Sequence, residues 1–181
     1  MIARRFGTYR GLARAALGFV RLPLVPRARL DGVERLVFVC HGNICRSAFA
    51  ERLAEALGWA SASFGLSTSA GRPAHPPLAA IAHARGIDLS GHRSTPVEGF
   101  APRAGDLYLV MEVRQLKRLR RDPRFAAAPI DLLGRFGGMP HLHDPYGLSD
   151  AFTAASLADI DRSVRALIAA IEAWRACAAR S

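Results

Sequence analysis

"VFVCHGNICRSAFAE", residues 37–51, places two cysteines, a glycine and an arginine where a short apolar run gives way to a helical pattern. Residues 36–40 are apolar and include β-branched valines, which predicts a buried strand. Residues 47–57 predict a helix that Gly58 ends, because apolar side chains recur at spacings of three and four. The apolar face of this helix consists of Phe49, Ala50, Leu53 and Leu57. The stretch therefore predicts a strand, a tight loop and a helix.

The alternation of strands and helices continues along the chain. Apolar runs predict strands at 61–71, 106–111 and 129–133, and helical spacing predicts helices at 77–85, 113–121 and 150–178. The last helix is expected to bury Phe152, Ile160, Val164, Leu167, Ile168, Ile171 and Trp174. Strands that alternate with helices indicate a parallel sheet covered on both faces. The predicted fold class is α/β, a single domain with a four-stranded parallel twisted sheet and helices on both faces.

Length and composition exclude several classes of protein. A chain of 181 residues, half of them apolar, is long enough and apolar enough for one folded domain. Three cysteines are too few for a disulfide framework, which favours a reducing, cytoplasmic compartment. No apolar run approaches the roughly 20 residues that a membrane-spanning helix needs.

The net charge of +10 suits an anionic partner, but no nucleic-acid-binding motif is present, so no nucleic-acid partner is expected.

Residues 1–33 are predicted to be a basic amphipathic N-terminal extension, and residues 34–181 the folded domain. Residues 1–30 contain seven arginines and no acidic residue. The apolar face of the extension consists of Phe6, Tyr9, Leu12, Ala13, Ala16, Leu17 and Val20, with Arg10, Arg14 and Arg21 on the other side. Two interpretations stay open: residues 1–30 contact the inner membrane surface peripherally, or they pack on their own domain or stay disordered.

Cys40 and Arg46 form a C-x5-R motif at the predicted turn from strand to helix. Backbone N–H groups that precede a helix form a nest for an anion, and a helix N-terminus beside a guanidinium favours the nucleophilic thiolate. The guanidinium of an arginine can hold two oxygens of a tetrahedral oxyanion. Gly42 lets the loop bend. Ser47 can donate a hydrogen bond to the sulfur of Cys40. The motif therefore indicates nucleophilic chemistry on an oxyanion. The alternative is a cysteine that only packs in the core.

The stretch "VFVCHGNICRS" closely resembles the phosphate-binding loop of the bacterial type of low-molecular-weight protein tyrosine phosphatase. The resemblance continues in order through "STSAG" (67–71), "ARGIDLSGHRS" (84–94), "DLYLVME" (106–112) and "HDPYG" (143–147), and covers about residues 34–176. It implies a phosphatase that hydrolyses phosphomonoesters, above all protein phosphotyrosine, through a cysteinyl-phosphate. It also implies a phosphate-binding loop after the first strand, no cofactor or metal, and a phosphotyrosine protein such as a bacterial tyrosine kinase as the partner.

The resemblance assigns roles by position. The implied catalytic residues are Cys40 as nucleophile, Arg46 for phosphate binding and Asp144 as general acid and base. The implied substrate-binding residues are His41, Gly42, Asn43, Ile44, Cys45, Ser47 and Tyr146. Ser69 and His92 are implied to join Asn43 in a network that supports the loop. Without the resemblance, Asp144 indicates only a turn, because it precedes a proline. Ser69 and His92 could then equally be ordinary polar residues with no role in the site.

The chain departs from the family pattern at three places. Ala48 stands where the family usually has proline, and His143 where bacterial relatives often have proline before "DPY". The loop after Gly71 is short, and Arg72 lies where relatives tend to carry apolar residues that wall the pocket. A wider or more cationic pocket is therefore expected, and a strict preference for phosphotyrosine does not follow from the resemblance.

Two alternative functions stay open. An arsenate reductase of the same fold would relay a disulfide through further cysteines downstream of the loop, and only Cys177 follows residue 46. A non-catalytic phosphate-binding module would need no nucleophile, so the combination of Cys40, Arg46 and Asp144 argues against it.

Overall fold

The computed structural model describes residues 29–180 and, before them, only Leu12, Ala13 and Ala16, which are helical. The predicted amphipathic helix otherwise lies outside the described residues. Within the predicted extension, Val33 is buried and its carbonyl accepts a hydrogen bond from the guanidinium of Arg175. The described part of the extension therefore packs on the domain just before the first strand. No helix among the described residues is both long and apolar enough to cross a bilayer.

Residues 29–180 form four strands and four α-helices in alternation, as the sequence predicts. The strands are β1 (Arg35–Cys40), β2 (Ser61–Gly65), β3 (Asp106–Val110) and β4 (Ile130–Leu132). The helices are α1 (Arg46–Ala56), α2 (Pro76–His83), α3 (Val113–Leu119) and α4 (Asp150–Ala178). Short 3-10 turns occur at Val97–Gly99, Pro123–Phe125 and Leu133–Arg135.

The sheet is parallel throughout, with the strand order β2-β1-β3-β4. Successive residues of β1 enter opposite layers: Phe38 and Cys40 join one hydrophobic cluster, and Val37 and Val39 join the other. The first cluster includes residues of α1, α2 and α4, and the second includes residues of α3. A parallel sheet that is buried on both faces explains why its strands are continuously apolar. The fold class and the placement of helices on both faces are therefore as predicted.

The central strand β1 carries the site. Its neighbours β2 and β3 flank it on both sides, so the loop that leaves Cys40 emerges at the middle of the carboxyl edge of the sheet. In open parallel sheets this edge is where ligands bind. The topology therefore places the loop at residues 41–45 where a ligand can reach it.

Two predictions about the elements are wrong. Strand β2 ends at Gly65 rather than at residue 71, because the chain passes against the loop after β1 there. A Cβ atom at Gly65 would lie 2.9 Å from the carbonyl oxygen of His41, so only glycine fits. Trp174 is 43% exposed instead of buried, near the C-terminal end of α4, whereas Ile171 one turn earlier is fully buried.

Candidate active site

Cys40 lies at the carboxyl end of β1 with its thiol directed to the start of α1. The backbone N–H of Asn43 donates a hydrogen bond to Cys40 Sγ over 3.2 Å, and Ser47 Oγ lies 3.0 Å from the same sulfur. Both contacts suit a thiolate, which accepts hydrogen bonds more strongly than a thiol does. The loop therefore surrounds the sulfur with hydrogen-bond donors in the way the motif predicts.

Asn43 shapes this loop from its middle. Its φ of 52° lies in the left-handed region, which few residues other than glycine adopt. The Asn43 side chain donates to Ser47 Oγ at 3.0 Å and to Ser63 Oγ at 2.6 Å, and it accepts from the N–H of Thr95 at 2.7 Å. His92 Nε2 donates to the Asn43 carbonyl over 2.6 Å. Three contacts from distant segments, and one from the start of α1, therefore stabilise a backbone conformation that is unfavourable by itself.

The network differs from the prediction at Ser69. The Ser69 side chain is exposed, and its backbone carbonyl is the group that joins the surroundings, accepting from Ser94 Oγ at 2.7 Å. Ser63, on β2, takes the expected place beside Asn43 and donates in turn to Glu51 Oε2 at 2.7 Å. No local pattern in the sequence distinguishes Ser63 from the other serines of this segment. Its role depends on the pairing of β2 with β1.

Arg46 is fully buried in the first turn of α1. Its Nη1 donates to Glu112 Oε1 at 2.7 Å and to the Leu142 carbonyl at 2.9 Å, and its Nη2 lies 2.7 Å from Asp144 Oδ2. Among the described residues, Arg46 Nε has no hydrogen-bond partner. A buried guanidinium N–H without a partner is costly unless a ligand accepts from it. The arginine is therefore held in place on one side and has a donor left for an oxyanion.

Glu112 is a second residue of the site that the sequence does not predict. It is buried directly after β3 and forms ion pairs with Arg46 and with Arg114 Nε, the latter at 2.6 Å. Burial by itself would raise the pKa of this carboxyl, but the neighbouring guanidinium of Arg46 outweighs that effect and lowers the pKa to about 2. The carboxylate in turn helps to keep the pKa of Arg46 above its ordinary value despite burial. The quoted motif "DLYLVME" ends on this residue, but no spacing rule links it to residue 46.

Replacing Glu112 by glutamine is expected to lower the free energy of unfolding by about 2 to 3 kcal/mol at neutral pH. The ordinary pKa of 4.5 falls to about 2 in the folded protein, so the ionised form stabilises the fold above pH 4.5. That contribution decreases as the pH is lowered toward 2. Chemical denaturation at several pH values measures it: the gap between wild type and Glu112→Gln should shrink below about pH 4.5. A gap that is constant with pH would contradict the proposed ion-pair contribution.

A cleft of about 250 Å³ opens over the thiol. Its lining consists of Cys40, His41, Gly42, Ile44, Cys45, Ser67, Arg72, Asp144 and Tyr146. Asp144 lies in the loop before α4, and its Oδ1 accepts a hydrogen bond from the backbone N–H of Tyr146 over 3.3 Å. The Tyr146 ring, 57% exposed, lies against His75 with 4.8 Å between the ring centroids. The structure therefore brings the predicted nucleophile, carboxylate and aromatic wall together, 104 residues apart in sequence between Cys40 and Asp144.

The remaining predicted residues lie beneath this cleft. Asn43, Arg46 and Ser47 are buried, and two of the three departures from the family pattern, Ala48 and His143, do not line the cleft. Ala48 is buried in α1, and the His143 ring contacts the rings of His141 and Phe152 at centroid distances of 6.0 Å. No group of three or more histidine, cysteine or acidic side chains suited to a metal ion occurs in the part of the chain that the structure describes.

Comparison with known proteins agrees with the geometry. The family model described as low molecular weight phosphotyrosine protein phosphatase matches residues 35–176. The low molecular weight protein-tyrosine-phosphatase Wzb of Salmonella typhi is 32% identical over 143 residues, which are 77% of this chain and 95% of that protein.

Solved structures show the same fold. The tyrosine phosphatase AmsI of Erwinia amylovora superposes with a TM-score of 0.69 at 26% identity, over 80% of this chain and 98% of that one. Vibrio vulnificus Wzb in complex with benzylphosphonate gives a TM-score of 0.65 at 27% identity, over 74% and 95% of the two chains.

A shorter similarity bears on the alternative function. A glutaredoxin arsenate reductase of a Synechocystis strain is 41% identical, but over only 71 residues, which are 38% of this chain and 52% of that protein. The phosphatases match along nearly their whole length, and the family model spans the site from Cys40 to Asp144. This chain belongs to the low molecular weight phosphotyrosine protein phosphatase family.

Proposed function

We propose that the chain hydrolyses phosphotyrosine in proteins, with Cys40 as the nucleophile, Arg46 as the phosphate-binding residue and Asp144 as the general acid and base. The observation that carries this proposal is the convergence of the three groups on one cleft. The Cys40 thiol accepts a hydrogen bond from the loop at its floor, and Asp144 Oδ2 lies 2.7 Å from the Arg46 guanidinium above it. A binding module would need the arginine but neither the thiol nor the carboxylate.

In the first step the Cys40 thiolate attacks phosphorus. The S–P bond forms, the bond from phosphorus to the tyrosyl oxygen breaks, and Asp144 gives its proton to that oxygen. Loop N–H groups and the free donor of Arg46 stabilise the charge on the transferring phosphoryl oxygens. Glu112 holds Arg46 in this orientation and acts as a positioning residue.

In the second step water attacks the cysteinyl-phosphate. Asp144, now ionised, takes a proton from the water, the O–P bond forms, and the S–P bond breaks to release inorganic phosphate. The electron pair returns to Cys40 Sγ as a thiolate. Ser47 Oγ, 3.0 Å away, can donate a hydrogen bond to this leaving sulfur.

The cleft suits an aryl phosphate. The sulfur lies at its floor and the exposed Tyr146 ring at its mouth, so an aromatic ring can lie against Tyr146 while its phosphate reaches the loop. The named relatives are protein-tyrosine-phosphatases, which supports a phosphotyrosine protein as the partner. The family resemblance supports the finer proposal that this partner is a bacterial tyrosine kinase.

The arsenate reductase alternative is weak on structural grounds. The disulfide relay of such an enzyme passes through further cysteines downstream of the phosphate-binding loop, and Cys177 is the only cysteine beyond that loop. It lies near the end of α4, which starts at Asp150 beside the site. At about 1.5 Å per residue, the helix places Cys177 roughly 40 Å from its first turn. The described structure therefore offers no obvious path for such a relay.

Phosphate release from matched phosphotyrosyl and phosphoseryl peptides tests the proposed function. We expect turnover of the phosphotyrosyl peptide at least about tenfold faster, since the shorter serine side chain brings its phosphate less easily to the floor of the cleft. A parallel assay supplies arsenate with a thiol reductant and measures arsenite. Arsenite formation without phosphotyrosine turnover would replace this proposal by the alternative.

We also propose that residues 1–30 associate with an anionic membrane surface. The support is their charge, seven arginines without an acidic residue, and the helical spacing of their apolar residues. Full-length protein with Arg10, Arg14 and Arg21 replaced by glutamine should co-sediment less with anionic vesicles at low salt. Wild-type binding should weaken as the ionic strength rises. Equal sedimentation of both proteins would contradict the proposal.

A further inference from the structure

Arg72 lies at the cleft with its backbone tightly fixed. Its N–H donates to Ser94 Oγ at 2.9 Å, and its carbonyl accepts from the N–H of Ser94 at 2.8 Å. The adjoining N–H of Gly71 donates to the Ser94 carbonyl at 2.8 Å, and that of His75 to the Ile44 carbonyl at the same distance. Ser94 is itself buried. The segment that carries Arg72 is therefore joined to the core on one side and to the phosphate-binding loop on the other.

The Arg72 guanidinium is exposed and has no carboxylate partner among the described residues. Asp144 is the one acidic residue that lines the cleft, and it is paired with Arg46. Arg72 also acts on the cleft electrostatically. Burial raises the pKa of the Cys45 thiol, and the charges of Arg46 and Arg72 oppose that rise. A second, unpaired cation therefore faces the space that the substrate enters.

The phosphoryl group does not need this second arginine, since the loop N–H groups and Arg46 already provide its donors. A guanidinium pairs best with a planar carboxylate, which it can hold through two parallel hydrogen bonds. In a protein substrate the nearest carboxylates are those of aspartate or glutamate beside the phosphotyrosine.

We propose that Arg72 selects phosphotyrosine sites with an acidic neighbour by pairing with that residue's carboxylate. Arg72 is thus a specificity-determining residue, not a catalytic one. The inference rests on the proposed phosphotyrosine phosphatase function and adds a preference among its protein substrates. Arg72 directly follows Gly71 in the sequence and lines the cleft.

Three phosphotyrosyl peptides that differ only in the residues flanking the phosphotyrosine test the proposal: one with aspartates, one with asparagines and one with lysines. For the wild type we expect kcat/KM about three- to fivefold higher with aspartate than with asparagine, as for one partly exposed charge pair. Lysine should be the poorest. The difference should appear mainly in KM and should fade when the ionic strength is raised to about 0.5 M.

Two variants of Arg72 and one control complete the experiment. Arg72→Ala should bring the aspartate-to-asparagine ratio to about one, and Arg72→Lys should keep part of the preference because the charge remains. Arg103→Ala should keep the full wild-type ratio. Arg103 is also an exposed arginine, but it precedes β3 at the opposite edge of the sheet.

The outcomes separate this inference from the function on which it rests. Equal wild-type turnover of all three peptides would overturn the role of Arg72 and leave the phosphatase function standing. An equal loss on every peptide in Arg72→Ala would also overturn it, because Arg72 would then contact the shared phosphotyrosine. If Arg103→Ala lost the preference for aspartate as fully as Arg72→Ala does, the preference would be an effect of the protein's net charge and not of Arg72. Turnover of none of the peptides by the wild type would overturn the proposed function itself.

Discussion

Cys40→Ser is expected to reduce turnover of aryl phosphates by at least about 10⁴-fold, because removal of a covalent nucleophile leaves only the binding contribution. A serine hydroxyl is a far weaker nucleophile than a thiolate at neutral pH, and the Cys40 sulfur lies beside the N–H of Asn43 and the hydroxyl of Ser47. The oxyanion site is built from loop N–H groups and Arg46, so it remains in the variant. Phosphate or vanadate binding, measured by calorimetry, should therefore stay within about tenfold of the wild type.

Cys177→Ser is the matched control for this substitution. It makes the same chemical change in an exposed cysteine near the end of α4. Turnover of this control should equal that of the wild type. Substantial residual turnover in Cys40→Ser, with folding intact by circular dichroism, would end the covalent mechanism proposed above.

Asp144→Asn is expected to slow the first chemical step by about 10² to 10⁴-fold for substrates with a poor leaving group. Expulsion of a phenoxide requires a proton, whereas an activated nitrophenoxide departs without one. Phenyl phosphate and phosphotyrosine should therefore lose far more rate than a nitrophenyl ester. The carboxyl group is well placed for this role, since it lines the cleft together with Cys40.

The burst phase is the measurement that isolates this effect. Asp144 also serves the hydrolysis of the cysteinyl-phosphate, so steady-state rates of all substrates fall together if the second step limits turnover. Asp150→Asn is the control, a nearby carboxylate in the first turn of α4 that does not line the cleft. Equal burst-rate losses for good and poor leaving groups in Asp144→Asn would remove it from the acid role. A loss that depends on the leaving group in Asp150→Asn would transfer the role to that residue.

Much of the fold could be predicted because its signals are local. The apolar run before Cys40 and the helical spacing after it lie within 20 residues of each other. The spacing of apolar residues in each segment is set by the geometry of a single strand or helix. The predicted bounds of α4, 150–178, are those observed, since Ser149 caps its start by accepting from the N–H of Phe152 at 3.3 Å. The predictions are wrong at the end of β2 and at Trp174, where contacts with distant parts of the chain determine the structure.

Part of the site could be predicted for the same reason. Cys40 and Arg46 lie on one turn between a strand and a helix, so their proximity follows from sequence spacing. Asp144 was assigned from the family resemblance, because an Asp-Pro turn has no catalytic meaning of its own. The structure places it beside Arg46, 98 positions away in the sequence.

The α/β alternation, the C-x5-R loop and the concentration of positive charge at the N-terminus follow from the order of the residues. The groups that hold the loop are brought together by folding: Glu112 pairs with Arg46, and Ser63 and Thr95 bind the side chain of Asn43. Folding also places the Ser69 carbonyl beside Ser94 and Arg72 at the cleft. These pairings depend on strand order and on loops that meet at the carboxyl edge of the sheet. Hydrogen bonds and ion pairs act over about 3 Å in space, whatever the separation along the chain.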